Sequence, residues 1–137
     1  MKPVAFEYCR PDTLEEVMEL LTEFGGDASI ISGGVSLGAM LNMRLVRPKA
    51  LIDINHVLEL ENVEFDDATA ITGALVRQAA AQKITSLMSG VPLLAMSLPW
   101  VGHYQTKSRG TLGGSVAHAD PSAEIPLTLV TLGGSVT

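Results

Sequence analysis

Apolar and polar positions along this chain follow two periods, and the places where one gives way to the other mark its elements. Residues 4–8 (Val-Ala-Phe-Glu-Tyr) read as a short edge strand or extended arm, closed by Arg10-Pro11. Leu14, Val17, Met18, Leu21 and Phe24 then recur at helical spacing, with Glu15, Glu16, Glu19 and Glu23 on the solvent side. Thr13 and Glu16 fit a capping box, with Asp12 as a competing cap, and Gly25-Gly26 supplies a C-terminal stop. The apolar run from Ala28 to Ile31 has the length of a buried strand and leads into a glycine loop, Ser32-Gly33-Gly34-Val35-Ser36. Leu37, Met40, Leu41 and Leu45 return to helical spacing until Arg47-Pro48, and Leu51-Ile52-Asp53-Ile54 reads as another strand. Strand, loop, helix and strand form a βαβ unit, which implies parallel pairing and a right-handed crossover.

The second half is less regular. Val63-Glu64-Phe65 and Ala70-Ile71-Thr72 flank Asp66-Asp67-Ala68 as in a hairpin. Composition turns helical from Val76 to about Met88, and Gly90-Val91-Pro92 restarts a helix through Leu94, Met96 and Leu98, near Trp100. His103 to Gly110 reads as a polar loop, followed by a second glycine loop at Thr111–Val116 and an apolar helical stretch from Ile125 to Leu132. The hexapeptide Thr-Leu-Gly-Gly-Ser-Val occurs twice, at 111–116 and 131–136. Its second copy reads as a turn between a helix and a strand that is only beginning. With no polar tail or closing element there, the chain is expected to be a fragment of a longer one.

Composition narrows the function classes. The 137 residues are 47% hydrophobic and 18% charged, which suits one folded domain and not a disordered segment. No apolar run reaches the ~18 residues of a membrane span, and no leader pattern opens the chain, so a cytoplasmic protein is expected. The net charge is −6, with the acidic excess in the first half; no basic stripe exists to displace counterions, and 4% aromatic residues give no base-stacking platform. Nucleic acid is therefore excluded as the expected partner. The single cysteine, Cys9, offers neither a disulfide nor a thiolate cluster and reads as a small buried hydrophobe.

Conventional catalytic sets are weak. His118, Asp120 and Glu124 form an imaginable metal set, but a polar loop is the simpler reading. Gly34-Val35-Ser36-Leu37-Gly38 fits the G-x-S-x-G nucleophile elbow, yet Ser32-Gly33-Gly34 loosens the turn that an elbow requires, and no oxyanion segment precedes it. No phosphate loop of the G-x-x-x-x-G-K type is present, and the glycines do not make the G-x-G-x-x-G fingerprint. The two Gly-Gly turns remain. Before a helix, such a turn presents backbone N–H groups to an anion, and glycine lets a phosphate come close. Two such loops could face the two phosphates of a diphosphate, although a structural turn also explains each.

At these residues the sequence resembles a known family. Ile31-Ser32-Gly33-Gly34-Val35-Ser36-Leu37, with Met43-Arg44-Leu45, Pro48 and Leu51-Ile52-Asp53-Ile54, is similar to the first flavin-binding loop of the FAD-binding (medium) subunit of molybdenum hydroxylases. That family includes carbon monoxide dehydrogenase and xanthine dehydrogenase. Residues 108–117 resemble its second loop, and Ala119-Asp120-Pro121-Ser122-Ala123-Glu124-Ile125-Pro126 continues the match. The resemblance runs from Phe6 to Thr137, in order and at the expected spacing.

The resemblance implies an α/β fold, α+β overall, of the p-cresol methylhydroxylase and vanillyl-alcohol oxidase type. A small βαβ subdomain with parallel strands is expected over 1–55, and the start of a larger subdomain with antiparallel strands over 56–137. FAD is expected between them, its diphosphate against Ser32, Gly33, Gly34, Val35, Ser36 and Leu37 of one loop and Thr111, Leu112, Gly113, Gly114 and Ser115 of the other. Glu124 stands where the family has an acidic residue facing the ribose or adenine side. Val35 replaces a frequent Gln or His, and Ser115 an occasional Asn. The implied role is electron transfer from iron–sulfur clusters through FAD to an acceptor. A small subunit would hold the 2Fe–2S clusters and a large subunit the molybdenum cofactor, with no catalytic side chain or metal ligand in this chain. The alternatives are a flavin oxidase of the related fold acting directly on substrate, or a truncated non-catalytic piece. Trp100, His103 and Tyr104 are conceivable flavin contacts, with a core Trp and loop polar residues as the simpler reading.

Overall fold

A computed structural model describes residues 1–66 and 68–137 of the chain. Three strands form its first half: β1 (Glu7–Cys9), β2 (Ala28–Ile31) and β3 (Ala50–Asp53), in spatial order β1-β3-β2 and parallel throughout. Parallel strands need long crossovers, and α1 (Leu14–Phe24) and α2 (Val35–Asn42) supply helices for them. The central strand is covered on both faces, which is why Ala50, Leu51 and Ile52 form an unbroken apolar run. The expected βαβ unit is present as β2-α2-β3, with α2 opening at Val35 and ending before Leu45, which is exposed.

The Thr13 hydroxyl caps α1 by accepting from Glu16 N at 3.2 Å, while Glu16 reaches back one residue further than a standard box, to the N–H of Asp12. The inward stripe of α1 is rotated from the expected one: Val17, Leu20 and Leu21 pack on the sheet, while Leu14 and Met18 face solvent. A three-stranded sheet is narrower than the predicted apolar face, so one edge of that face is left outside.

In the second half β4 (Val63–Phe65) and β5 (Ala70–Thr72) pair antiparallel as a hairpin; Asp67 of its turn lies outside the described residues. Six short helices follow: α3 (Gln78–Ala81), α4 (Thr85–Gly90), α5 (Pro92–Ser97), α6 (Tyr104–Arg109), α7 (Leu112–His118) and α8 (Glu124–Thr131). Several expectations are corrected here. The single helix expected from Val76 to Met88 is broken at Gln82–Ile84 because Ile84 leaves helical geometry to pack against the second core. His103–Gly110 is no loop: it contains α6, whose Lys107 is buried, with Nζ donating to the carbonyls of Leu98 and Pro99 at 3.3 and 3.5 Å. Both carbonyls lie in a 3₁₀ turn, where that of Leu98 also accepts from Val101 N at 3.3 Å, and a buried lysine stem leaves no apolar signature in the sequence. Trp100 is 79% exposed and no core residue; Leu98 fills the core from the same turn.

The repeated hexapeptide takes two conformations. Its first copy opens α7, and its second closes α8 with Gly133 at φ 65°. The Gly133 and Gly134 N–H groups bond back to the carbonyls of Val130 and Leu129 at 3.1 and 2.9 Å, a Schellman ending. No strand is assigned over residues 134–137.

Two cores meet along one short segment. Val17, Ile52, Ile54, Val57 and Leu75 form the core beneath the sheet, while Val76, Ala81, Leu87, Leu94, Leu98, Val101, Leu112 and Ile125 form the helical one. Fully buried side chains such as Leu87 and Leu98 contribute roughly 2–3 kcal/mol each through burial. Leu75 and Val76 are neighbours in sequence that point into different cores, so the chain between β5 and α3 stitches the halves together.

Candidate functional site

β2 ends at Ile31, and its carboxyl end delivers Ser32-Gly33-Gly34 to the start of α2. Ligands of parallel α/β sheets bind at this edge. Gly34 is the N-cap of α2 at φ 67°, a conformation that L side chains rarely adopt, and no side chain caps the helix. No acidic residue sits in the first turn, so its amides and dipole stay available to an anion.

The second turn arrives at the same place from the other half. Arg77 and Thr111 form an isolated antiparallel bridge, Gln78 N donates to Gly110 O at 2.9 Å, and Leu112 N donates to Val76 O at 2.9 Å. The hydroxyls of Ser32 and Thr111 lie 3.2 Å apart. The contact is close enough to exclude side chains. A Cβ on Gly33 would overlap the Arg109 carbonyl and stand 2.9 Å from Gly110 Cα, while Gly113 is closed separately by Ala74, whose Cα would stand 2.6 Å from a Cβ there. Glycine is required here by proximity of backbone to backbone.

The stretch expected as the second loop is the start of α7, because Thr111 is its N-cap: the side chain accepts from Gly114 N at 2.9 Å. The two turns therefore differ. At α7 the Leu112 and Gly114 amides already have partners within the chain, which leaves Gly113 as the open amide of that first turn among the described residues. At α2 the amides of Val35, Ser36 and Leu37 have no acceptor within the helix. The structure brings Ser32 and Gly33 against Arg109, Gly110, Thr111 and Gly114, with Gly34 to Leu37 continuing the first turn into α2 and Leu112, Gly113 and Ser115 lying in the start of α7. Glu124 is set apart from them, as the first residue of α8, beyond the far end of α7, about 10 Å along that helix.

Sequence reasoning missed the polar residues behind the turns. Asn55 donates from Nδ2 to Ser32 O at 2.9 Å and accepts at Oδ1 from Arg77 Nη2. Arg77 Nη1 in turn donates to Arg109 O, and Arg109 Nε reaches Gly33 O at 3.5 Å. Asn55 is itself held by Asp53, whose other carboxylate oxygen accepts from the Tyr8 hydroxyl. Burial is the largest influence on the Asp53 carboxyl and pushes its pKa up. The hydrogen bonds from Tyr8 and Asn55 together outweigh it and hold the pKa below the ordinary carboxylate value. The contact with Asp53 raises the Tyr8 pKa. The available signal was Asp53-x-Asn55 following an apolar strand, at the edge where polar residues face ligands.

Other candidates come to less. Ser36 stands inside the first turn of α2 and not on a strand-to-helix elbow. Among the described residues no group of three His, Cys, Asp or Glu side chains is close enough to hold a metal; Asp120 instead accepts from Ser122 N and Oγ at 2.8 and 2.7 Å. Trp100, His103 and Tyr104 are exposed. Cys9 is half-buried against the sheet core. Two open surface depressions, one by Asp12, His56 and Glu59 and one along Cys9, Glu16, Glu19 and Glu23, are acidic and do not involve the glycine turns. Among the described residues no helix is long and apolar enough to cross a membrane.

The 6-hydroxypseudooxynicotine dehydrogenase complex subunit alpha of Paenarthrobacter nicotinovorans is 43% identical over 137 residues, covering 100% of this chain and 46% of the relative. The carbon monoxide dehydrogenase medium chain of Hydrogenophaga pseudoflava is 34% identical over 126 residues, covering 92% of this chain and 44% of that one. Among solved structures, quinoline 2-oxidoreductase from Pseudomonas putida 86 superposes with a TM-score of 0.92 at 40% identity, over 96% of this chain and 46% of its own. The chain thus spans a little under half the length of these relatives. Residues 4–137 match the family described as the FAD binding domain in molybdopterin dehydrogenase, and the chain belongs to that family.

Proposed function

We propose that this chain is the flavin-carrying part of an electron-transfer flavoprotein in a molybdenum hydroxylase complex. FAD lies with its diphosphate against the seam, between residues 1–55, which bring Ser32, Gly33, Gly34, Val35, Ser36 and Leu37, and residues 56–137, which bring Thr111, Leu112, Gly113, Gly114 and Ser115. The observation that carries this reading is the 3.2 Å approach of the Ser32 and Thr111 hydroxyls at the open amino end of α2. An anion there meets unpaired amides, a glycine surface and the Ser32 hydroxyl, and no carboxylate in either first turn, while the buried Thr111 hydroxyl holds the cap of α7.

The asymmetry of capping sorts the donors. The amides of Val35, Ser36 and Leu37 take one phosphate group, while Gly113 and the Ser32 hydroxyl serve the other. Glu124 accepts from ribose or adenine-side donors. Bound FAD supplies the ability to accept electrons singly and release them in pairs. The residues of this chain bind and orient it; no side chain is assigned a proton transfer. An iron–sulfur small subunit delivers electrons from a molybdopterin large subunit, in the cytoplasm.

The test uses the whole parent polypeptide, freed of flavin and titrated with FAD and with riboflavin. Two charge-assisted hydrogen bonds of about 1.5 kcal/mol each amount to about 3 kcal/mol, so FAD should bind roughly 100-fold more tightly. A folded protein that binds neither flavin, or binds both equally, overturns the reading.

A further inference from the structure

Besides their direct backbone contact, the two glycine turns are tied together through side chains that make no bond to the open amides. We infer that Asn55, acting with Arg77, is a positioning residue for the diphosphate clasp; this rests on the functional reading above. Asn55 sits two residues beyond β3 and holds the first turn through Ser32 O at 2.9 Å. Its Oδ1 receives Arg77 Nη2, and Arg77 Nη1 holds the second turn through the carbonyl of Arg109. Two carbonyls, one at each turn, are thus joined through one carboxamide and one guanidinium.

The chemistry fixes the orientation of the Asn55 amide. Its Nδ2 faces two acceptors, Ser32 O and Asp53 Oδ1, and its Oδ1 faces a guanidinium that can only donate. A carboxylate in its place would set oxygen against oxygen at Ser32 and Asp53. Lysine in place of Arg77 has a single ammonium where the guanidinium reaches two acceptors in a fixed fork. Neither Asn55 nor Arg77 bonds to the first-turn amides of α2 or α7, so their effect on an anion is exerted through Ser32 and Arg109.

The experiment compares the full parent protein with Asn55→Ala, Asn55→Asp and Arg77→Lys by two measurements. One is the FAD dissociation constant of the flavin-free protein; the other is amide hydrogen exchange, also without flavin, at Gly38, Gln78, Gly110, Leu112 and Gly114, whose N–H groups are bonded at the two turns. Each variant should bind FAD about tenfold more weakly, and exchange should quicken in both turns with the far-ultraviolet dichroism unchanged. Asn55→Asp and Arg77→Lys keep side chains of similar size, so they report even where the alanine variant unfolds. Wild-type FAD affinity in variants with unchanged exchange overturns the inference and leaves the functional reading standing. A folded wild-type protein that binds no FAD defeats that reading, and with it the inference that these residues position a diphosphate.

Discussion

A methyl group on Gly33 has nowhere to go, because the peptide joining Arg109 to Gly110 already occupies the space. Backbone cannot swing aside as a side chain does. Gly33→Ala should therefore open the seam, lowering unfolding free energy by about 1–3 kcal/mol, the usual cost of overpacking, and weakening FAD binding with it. Urea titration of the flavin-free protein and flavin content of the purified one measure the two effects. Asp53 makes a second prediction. Its pKa in the folded protein lies below the ordinary value, so its contribution is complete above the unfolded pKa of about 3.9 and lost as pH falls through the folded value. Stability should decline on acidification below about pH 4, and Asp53→Asn should flatten that decline in urea titrations across the range; an unchanged slope contradicts the assignment. At this scale the sequence exposed the glycines and hydroxyls, since their types are diagnostic. It concealed Asn55 and Arg77, whose roles depend on contacts between residues distant along the chain and have no periodic signature.

At the scale of the element, the two helices that meet at the seam differ in how they begin. α7 is capped by its own Thr111 and α2 is not capped by any side chain. Thr111→Val keeps the shape and removes both the cap and the hydroxyl beside Ser32. It should cost about 1 kcal/mol of stability, read from the midpoint of chemical denaturation. Strands, α1 and the hairpin were legible because their apolar patterns are regular and their caps conventional. α6 was not, since Tyr-Gln-Thr-Lys-Ser-Arg has no apolar stripe and its burial runs through the stem of Lys107. The two copies of Thr-Leu-Gly-Gly-Ser-Val show the limit of local reading: what precedes each decides whether its threonine begins a helix or its glycines finish one.

Across the whole molecule, Leu75 and Val76 divide between the two cores while the Arg77–Thr111 bridge and the contact of Gly33 with Arg109 hold the seam beside them. The parallel sheet and the antiparallel pair could be derived from periodicity and connection length; the convergence of the two turns could not, and came from resemblance to a family. The closest approaches are peptide against peptide, so the gap between the halves is gauged by atoms that every amino acid shares. Exchanging side chains elsewhere can retune the exterior while the gauge keeps its setting.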